Sequence, residues 1–231
     1  MARRGRKSSR SGRLLLLAVV LVAAVAGWAN RSRIAGYFAA RGGSTATVID
    51  VAADHVDPAN EGRRIRLAGK LEAGAPARDD QLGVSAKAAL LLREVEMYQW
   101  RERCSGEDCS YETVWSRQPL DSRRFRRAEG HDNPPQRLLD ARFASDNVRI
   151  GAFAVGADLI AAQATAAELP VRAADLTPNL AATFSDANGV LYAGGDPAHP
   201  KVGEVRVSYR AVLPGNIALV GVQRGAGIAA Q

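Results

Sequence analysis

An unbroken stretch of sixteen uncharged residues, Leu14 to Ala29 (LLLLAVVLVAAVAGWA), follows thirteen residues that carry six basic side chains and no acid. A basic flank before an apolar run is the start of a signal anchor or of a secretory signal peptide. At 1.5 Å per residue the run reaches roughly 24 Å, short of a hydrocarbon core of roughly 30 Å. Trp28 suits the membrane interface, and Arg31 and Arg33 can snorkel to extend the span. The reading is an anchor helix; Ala24-Val25-Ala26 before Gly27 is an A-x-A cleavage site and keeps a cleaved signal as the alternative. Positive-inside orientation puts residues 1–13 in the cytoplasm and the rest across the membrane.

The same tail disposes of a nucleic-acid reading. The net charge is +7, yet six of the 31 basic residues lie in residues 1–13, leaving 25 against 24 acidic residues. A duplex-binding domain needs its positive charge on a folded face. A second membrane span is not expected: Ile217 to Ala230 is interrupted by Gln223, Arg224 and several glycines.

Beyond the anchor the chain reads as a β-rich α+β domain of antiparallel strands with one amphipathic helix. The organisation expected is a basic cytoplasmic tail (1–13), an anchor helix with its extension (14–41) and an extracytoplasmic domain (45–228), with an option of two sub-domains meeting near residue 140. Arg64 to Lys70 alternates as a half-buried strand. Residues 74–81 read as loop. Ala88 to Arg103 and Ser110 to Arg117 read as two longer strands, Val148 to Val155 as one more, and Gly189 to Ala193 and Gly203 to Val212 as the last. Ala157 to Leu169 is alanine-rich and stopped by Pro170, the pattern of the one helix.

The search for chemistry yields no constellation. His55, His131 and His199 are far apart and read as loop or surface residues; no G-x-S-x-G, H-E-x-x-H or phosphate-binding glycine loop occurs. No catalytic residue, metal ligand or cofactor is expected, and the chain is not read as an enzyme. Arg123, Arg124, Arg126 and Arg127 offer a contact for anionic lipid headgroups, although flanking Asp121, Glu129 and Asp132 favour a solvated loop. Cys104 and Cys109 have four residues between them and no histidine near to complete a zinc set. A structural disulfide across a hairpin loop is the favoured reading and a redox pair the lesser one, since such pairs are usually C-x-x-C. That hairpin would pair Arg103 with Ser110, Arg101 with Glu112, Glu102 with Tyr111 and Trp100 with Thr113, with Gly106 in the turn. Tyr98, Trp100, Tyr111 and Trp115, half of the chain's eight Tyr and Trp residues, sit in this strand pair and are expected to be core.

Arg93 to Glu102 (REVEMYQWRE), Tyr111 to Trp115 (YETVW), Asp121-Ser122 with Phe125, and His131-Asp132-Asn133-Pro134 resemble, in that order, the LUMA (transmembrane protein 43) family. Asp57 to Gly62, Leu67-Ala68-Gly69, Gly151-Ala152-Phe153, Tyr192 and Pro200 to Val207 extend the resemblance over about residues 14–228. The resemblance implies an N-terminal anchor and a large non-cytoplasmic domain. In animals such proteins lie in the endoplasmic reticulum and inner nuclear membrane, as organisers that self-associate and bind other membrane proteins. It transfers no catalytic residue. Family members usually carry several hydrophobic helices after the domain. This sequence stops at Gln231, so a prokaryotic member lacking them, or a truncated chain, is expected. The resulting reading is a single-pass inner-membrane scaffold or protein-interaction module with a periplasmic domain, or the endoplasmic reticulum and nuclear membrane equivalent. Its partners would be the membrane, other membrane or envelope proteins and, as an option, a homo-oligomer, with no nucleic acid. The alternative is a periplasmic binding or chaperone-like module for envelope proteins or lipids.

Overall fold

Two hydrophobic clusters organise the domain, and the long strand β5 (Leu90–Ser105) touches both. A computed structural model describes residues 47–231 apart from residue 188, and residues 48–231 form one compact unit. The apolar run at 14–29 and its extension to 41 lie outside the described residues. No helix among the described residues is long and apolar enough to cross a membrane.

The first cluster fills a small closed barrel. Its strands are β2 (Arg64–Glu72), β8 (Arg149–Ile150), β9 (Phe153–Val155), β14 (Gly215–Arg224) and β15 (Gly227–Ala229). β2 pairs with β14, β14 with β15, β15 with β9, β9 with β8, and β8 returns to β2. A short β1 (Ile49–Val51) adds in parallel to β2. Alternation along β2 turns Ile65, Leu67 and Leu71 inward, where they meet Ile150, Phe153, Leu219 and Ile228. Closure removes sheet edges that so short a set of strands would otherwise expose.

The second sheet is open. In order it runs β11 (Ser185–Ala187), β12 (Val190–Ala193), β13 (Val205–Val212), β5 (Leu90–Ser105) and β6 (Asp108–Ser116). β7 (Ala141–Ala144) pairs with the start of β5, and β10 (Ala167–Leu169) with β13. Leu91, Val95, Val207, Tyr209 and Leu191 form the second cluster, under a hairpin of β3 (Ala77–Asp79) and β4 (Val84–Ala86). Leu90 belongs to the barrel cluster and its neighbour Leu91 to the other, because successive strand residues face opposite ways.

Several elements differ from the sequence reading. The helix α1 covers only Ala157–Gln163, and Ala167–Leu169 is strand. There, pairing with Tyr209, Arg210 and Ala211 of β13 overrides alanine's helix preference. Val148 to Val155 is two strands, not one. Gly151 turns the chain between them at φ 57°, and a Cβ there would lie 2.1 Å from the Ala53 carbonyl oxygen. The loop expected at 74–81 contains β3 and, with Asp79, a buried charge. A second short helix, α2 (Pro178–Ala181), starts on its proline.

Candidate interaction site

β5 pairs with β13 only through Met97, so its last eight residues run on with β6 as a projecting hairpin of about 25 Å. The register is the one expected from the turn: Arg103 faces Ser110, Glu102 faces Tyr111, Arg101 faces Glu112 and Trp100 faces Thr113. Gly106 has φ 63° at the first central turn position. Cys104 and Cys109 are disulfide-bonded, with their Cα atoms 4.1 Å apart. Glu102 lies near the sulfurs, but both are spent in the disulfide and provide no thiolate for a metal.

The four hairpin aromatics are not core. Met97 and Gln99 turn inward and are buried, whereas Tyr98, Trp100, Tyr111 and Trp115 are all half-buried on the opposite face and belong to neither buried cluster. Alternation fixes two faces but aromatic content does not choose between them. Gln99 occupies the inner face because its amide is fully used: Nε2 donates to the carbonyls of Ser116 (3.3 Å) and Gln118 (2.9 Å), and Oε1 accepts from Leu120 N–H (2.9 Å).

The segment 118–134, polar and rich in charge, is a strap around this hairpin. It leaves β6, passes beneath Gln99 and rounds the edge of β5 at Trp100. There the Asn133 side chain donates from Nδ2 to the Trp100 carbonyl (2.9 Å) and accepts at Oδ1 from the Trp100 N–H (2.7 Å). Ser122, at a short 3-10 turn (Ser122–Arg124), holds the Asn133 N–H at 3.0 Å. On the outer face the strap completes an aromatic cluster. The His131 ring stacks on Tyr111 (centroids 3.9 Å, 22°) and meets the edge of Trp100 (4.8 Å), and Phe125 packs at 6.2 Å from Tyr111. Sequence reading assigned His131 to a loop; the missing signal was its stacking partner, twenty residues away. His55 and His199 are exposed loop residues hydrogen-bonded to Asp54 and Asp196.

Electrostatics fasten the strap. Glu102 accepts from Tyr111 Oη–H (2.8 Å) and from the Arg126 N–H (2.6 Å), and Arg126 Nη1 donates to the Glu107 carbonyl at the hairpin tip (2.8 Å). Burial, then the Glu102 carboxylate, raises the Tyr111 pKa. Arg123 and Arg124 lie against Asp121, whose carboxyl is held low chiefly by its hydrogen bond from Arg123. Of the four arginines offered to anionic headgroups, three are thus engaged with the protein, while Arg127 uses its backbone N–H on Tyr111 Oη (2.9 Å). At the hairpin base Arg206 lies over Trp115 (4.6 Å) and pairs with Glu96 (2.6 Å).

The two edges of the hairpin are treated differently. On the β5 side, Tyr98 bonds Gly203 and Glu204, and Trp100 bonds Asn133. On the β6 side, Cys109, Tyr111, Thr113 and Trp115 sit at ladder positions whose N–H and C=O groups point away from β5, and among the described residues they have no backbone partner.

The polar cluster beneath the sheet is of another kind. Asp79 (0% exposed) accepts from Arg93 Nη1 (2.7 Å) and Tyr209 Oη–H (2.7 Å) on one oxygen, and from the N–H groups of Gln81 (3.0 Å) and Leu82 (3.4 Å) on the other. Arg93 completes its set on Gln81 Oε1 (3.0 Å) and the Leu139 carbonyl (3.1 Å). Burial, then Asp79, drives the Tyr209 pKa upward. Every partner is satisfied within the cluster, which is the arrangement of a structural ion pair.

The blocks that come together in the hairpin and strap are the ones on which the family resemblance rests. A family model described as Transmembrane protein 43 matches residues 97–230. The chain belongs to the transmembrane protein 43 family. Transmembrane protein 43 of Rattus norvegicus is 30% identical over 174 residues, covering 67% of this chain and 41% of the relative. The Homo sapiens protein of that name is 29% identical over 167 residues, with the same coverage, and the Drosophila melanogaster homolog 26% over 164 residues. The chain therefore spans about two fifths of the length of these transmembrane protein 43 relatives. No solved structure matches it.

Proposed function

We propose that this member of the transmembrane protein 43 family is a membrane-anchored protein-interaction module that acts by binding rather than by catalysis. In this reading residues 1–13 are a cytoplasmic tail, 14–41 the anchor, and the β-rich domain lies across the membrane with other membrane proteins as its partners. The observation that carries it is the open edge of β6, nine residues long and rich in β-branched and aromatic side chains. Exposed edges recruit strands, and this one is left open while the strap closes the opposite side. The name of its relatives and the basic flank before residues 14–29 support the anchor. The disulfide suits a domain folded in an oxidising compartment.

The test is site-specific photo-crosslinking of the full chain in intact membranes. A photoreactive residue at Ser110, exposed beside the open edge, is expected to give adducts with other membrane proteins. The same probe at exposed Lys87 is expected to give none, and Thr113→Pro should abolish the Ser110 adducts. Equal labelling from both positions, or adducts indifferent to Thr113→Pro, would refute the reading.

A further inference from the structure

Beneath the hairpin the strap borders a cavity of about 480 Å³, within the roughly 300–1,000 Å³ of small-ligand sites. The buried face of β5 lines it at Met97 and Gln99, one arm of the strap at Pro119 and Leu120, and the chain leaving Asn133 at Pro134 and Pro135. Proline fixes its own backbone and offers no N–H, so these walls are stiff and poor in donors. The charged side chains of the lining, Asp121, Arg123 and Asp132, are exposed and of mixed sign, and Arg123 is already paired with Asp121. What remains for recognition is uncharged and polar.

Two lining groups have hydrogen-bonding capacity to spare. Ser122, 5% exposed, accepts from the Asn133 N–H at 3.0 Å and keeps its hydroxyl proton to donate. Gln136 has more. Its Nε2 and Oε1 are both shielded from solvent, and among the described residues neither has a hydrogen-bond partner. Gln99, on the same cavity, has its amide fully used. Buried amides are nearly always paired, and leaving one unpaired is destabilising. The local sequence contributes: the two residues before Gln136 are prolines and supply no N–H to its Oε1.

Asn133 shows what such a group can hold. Three residues earlier, its amide takes the N–H and C=O of a single strand residue, Trp100. Gln136 carries the same planar donor and acceptor on a longer stem, with three side-chain torsions to turn it into the cavity it lines. We infer that this cavity binds an extended peptide segment of a partner protein, the Gln136 amide turning inward to hold the N–H and C=O of one peptide residue. The apolar lining receives that residue's side chain, and the Ser122 hydroxyl is a further donor. The amide is unpaired in the free protein because its partner comes with the ligand. This site is separate from the β6 edge.

The probe is acetyl-leucine methylamide, which offers one residue's N–H and C=O with one apolar side chain. Its control carries an ester oxygen in place of the leucine N–H. Binding of each to the full chain in detergent is read by saturation-transfer NMR. The amide is expected to bind about tenfold tighter than the ester, the difference made by one hydrogen bond to Gln136 Oε1. In Gln136→Leu the two are expected to bind alike. Thermal unfolding gives an independent readout: with the unpaired amide gone, Gln136→Leu is expected to unfold a few degrees above the unmodified chain. Absence of binding, equal binding of amide and ester by the unmodified chain, a preference that survives in Gln136→Leu, or a lower unfolding temperature in that variant would overturn the inference. The Ser110 adducts depend on β6 alone, so the interaction-module reading stands or falls separately.

Discussion

Asn133 gives Trp100 both hydrogen bonds that a neighbouring strand would give it, one to the carbonyl at 2.9 Å and one from the N–H at 2.7 Å. A side-chain amide carries the planar donor and acceptor of a peptide group and one further N–H, so one residue substitutes for a strand. The second Nδ2 hydrogen reaches the Leu120 carbonyl at 3.1 Å and ties the strap's two ends to β5. Asn133→Asp keeps the shape but turns the donor into a charged acceptor facing two carbonyls. It should cost about 2–3 kcal/mol, against about 1–2 for Asn133→Ala, which lets water reach Trp100. Urea unfolding of the full chain measures both, and the amide exchange of Trp100 should accelerate in each.

Removing the disulfide tests how much of the hairpin register depends on it. A bond closing a six-residue ring stabilises by about 2 kcal/mol in the chain-entropy model. The double Cys104→Ser, Cys109→Ser variant should lose about that amount. Its Tyr111–His131 stack should persist, because Gly106 and the ladder also set the register. A collapse of the aromatic near-ultraviolet signal in the variant would show instead that the bond alone fixes the pairing.

How much of this was legible depends on the distance over which each feature is encoded. The hairpin is local: a glycine able to take positive φ, two cysteines and alternation on either side specify strand, turn and register together. The strap is not, since Asn133 acts on a residue 33 positions earlier and its short irregular segment carries no periodic signal. The barrel was equally hidden. Its closure relies on the two-residue strand Arg149–Ile150 and on a parallel pairing between Gly227–Ile228 and Ala154–Val155, neither of which leaves a pattern of its own. The aromatics were misplaced for a third reason: Gln99 outcompetes Trp100 for the interior because three backbone groups await its amide.

Trp115 follows from that correction. A fully buried Trp→Ala change costs about 3–5 kcal/mol. Half-buried, with one face under Arg206 and the Tyr98 ring tilted against it, Trp115→Ala should cost about 2 kcal/mol by chemical denaturation.

The Asp79–Arg93 pair should behave in the opposite way to the exposed pairs. With side chains 0% and 5% exposed, removal of one partner strands the other charge without water. Arg93→Met should cost about 3–5 kcal/mol, whereas Arg78→Met, which breaks an exposed pair with Asp80, should cost under about 1. Comparable losses in the two variants would contradict the burial argument.

The pH dependence of stability should carry the mark of Glu204 and Tyr192. Burial alone would raise the Glu204 pKa, but the Gly195 N–H, the Tyr192 hydroxyl and the Lys201 N–H together hold it below its ordinary 4.5. The folded state therefore prefers the carboxylate. Its contribution is complete above about pH 4.5 and is lost as the pH falls through the lower folded value. Tyr192 is the mirror case. Burial first, and then the bond to Glu204, push its pKa from 10.0 up to about 12, so the folded state prefers the protonated phenol. That stabilisation is complete below pH 10 and is lost between 10 and about 12. Tyr192→Phe should flatten the alkaline limb of the stability profile and leave most of the acid limb, since two backbone donors still hold Glu204. Glu204→Gln should flatten the acid limb and shift the alkaline one downward, because the phenol loses a carboxylate neighbour. Thermal unfolding of the full chain across pH 3 to 12, read by near-ultraviolet circular dichroism, gives both limbs in one series. An acid limb unchanged in Glu204→Gln would mean that other carboxylates govern acid unfolding and that this loop contributes little to it.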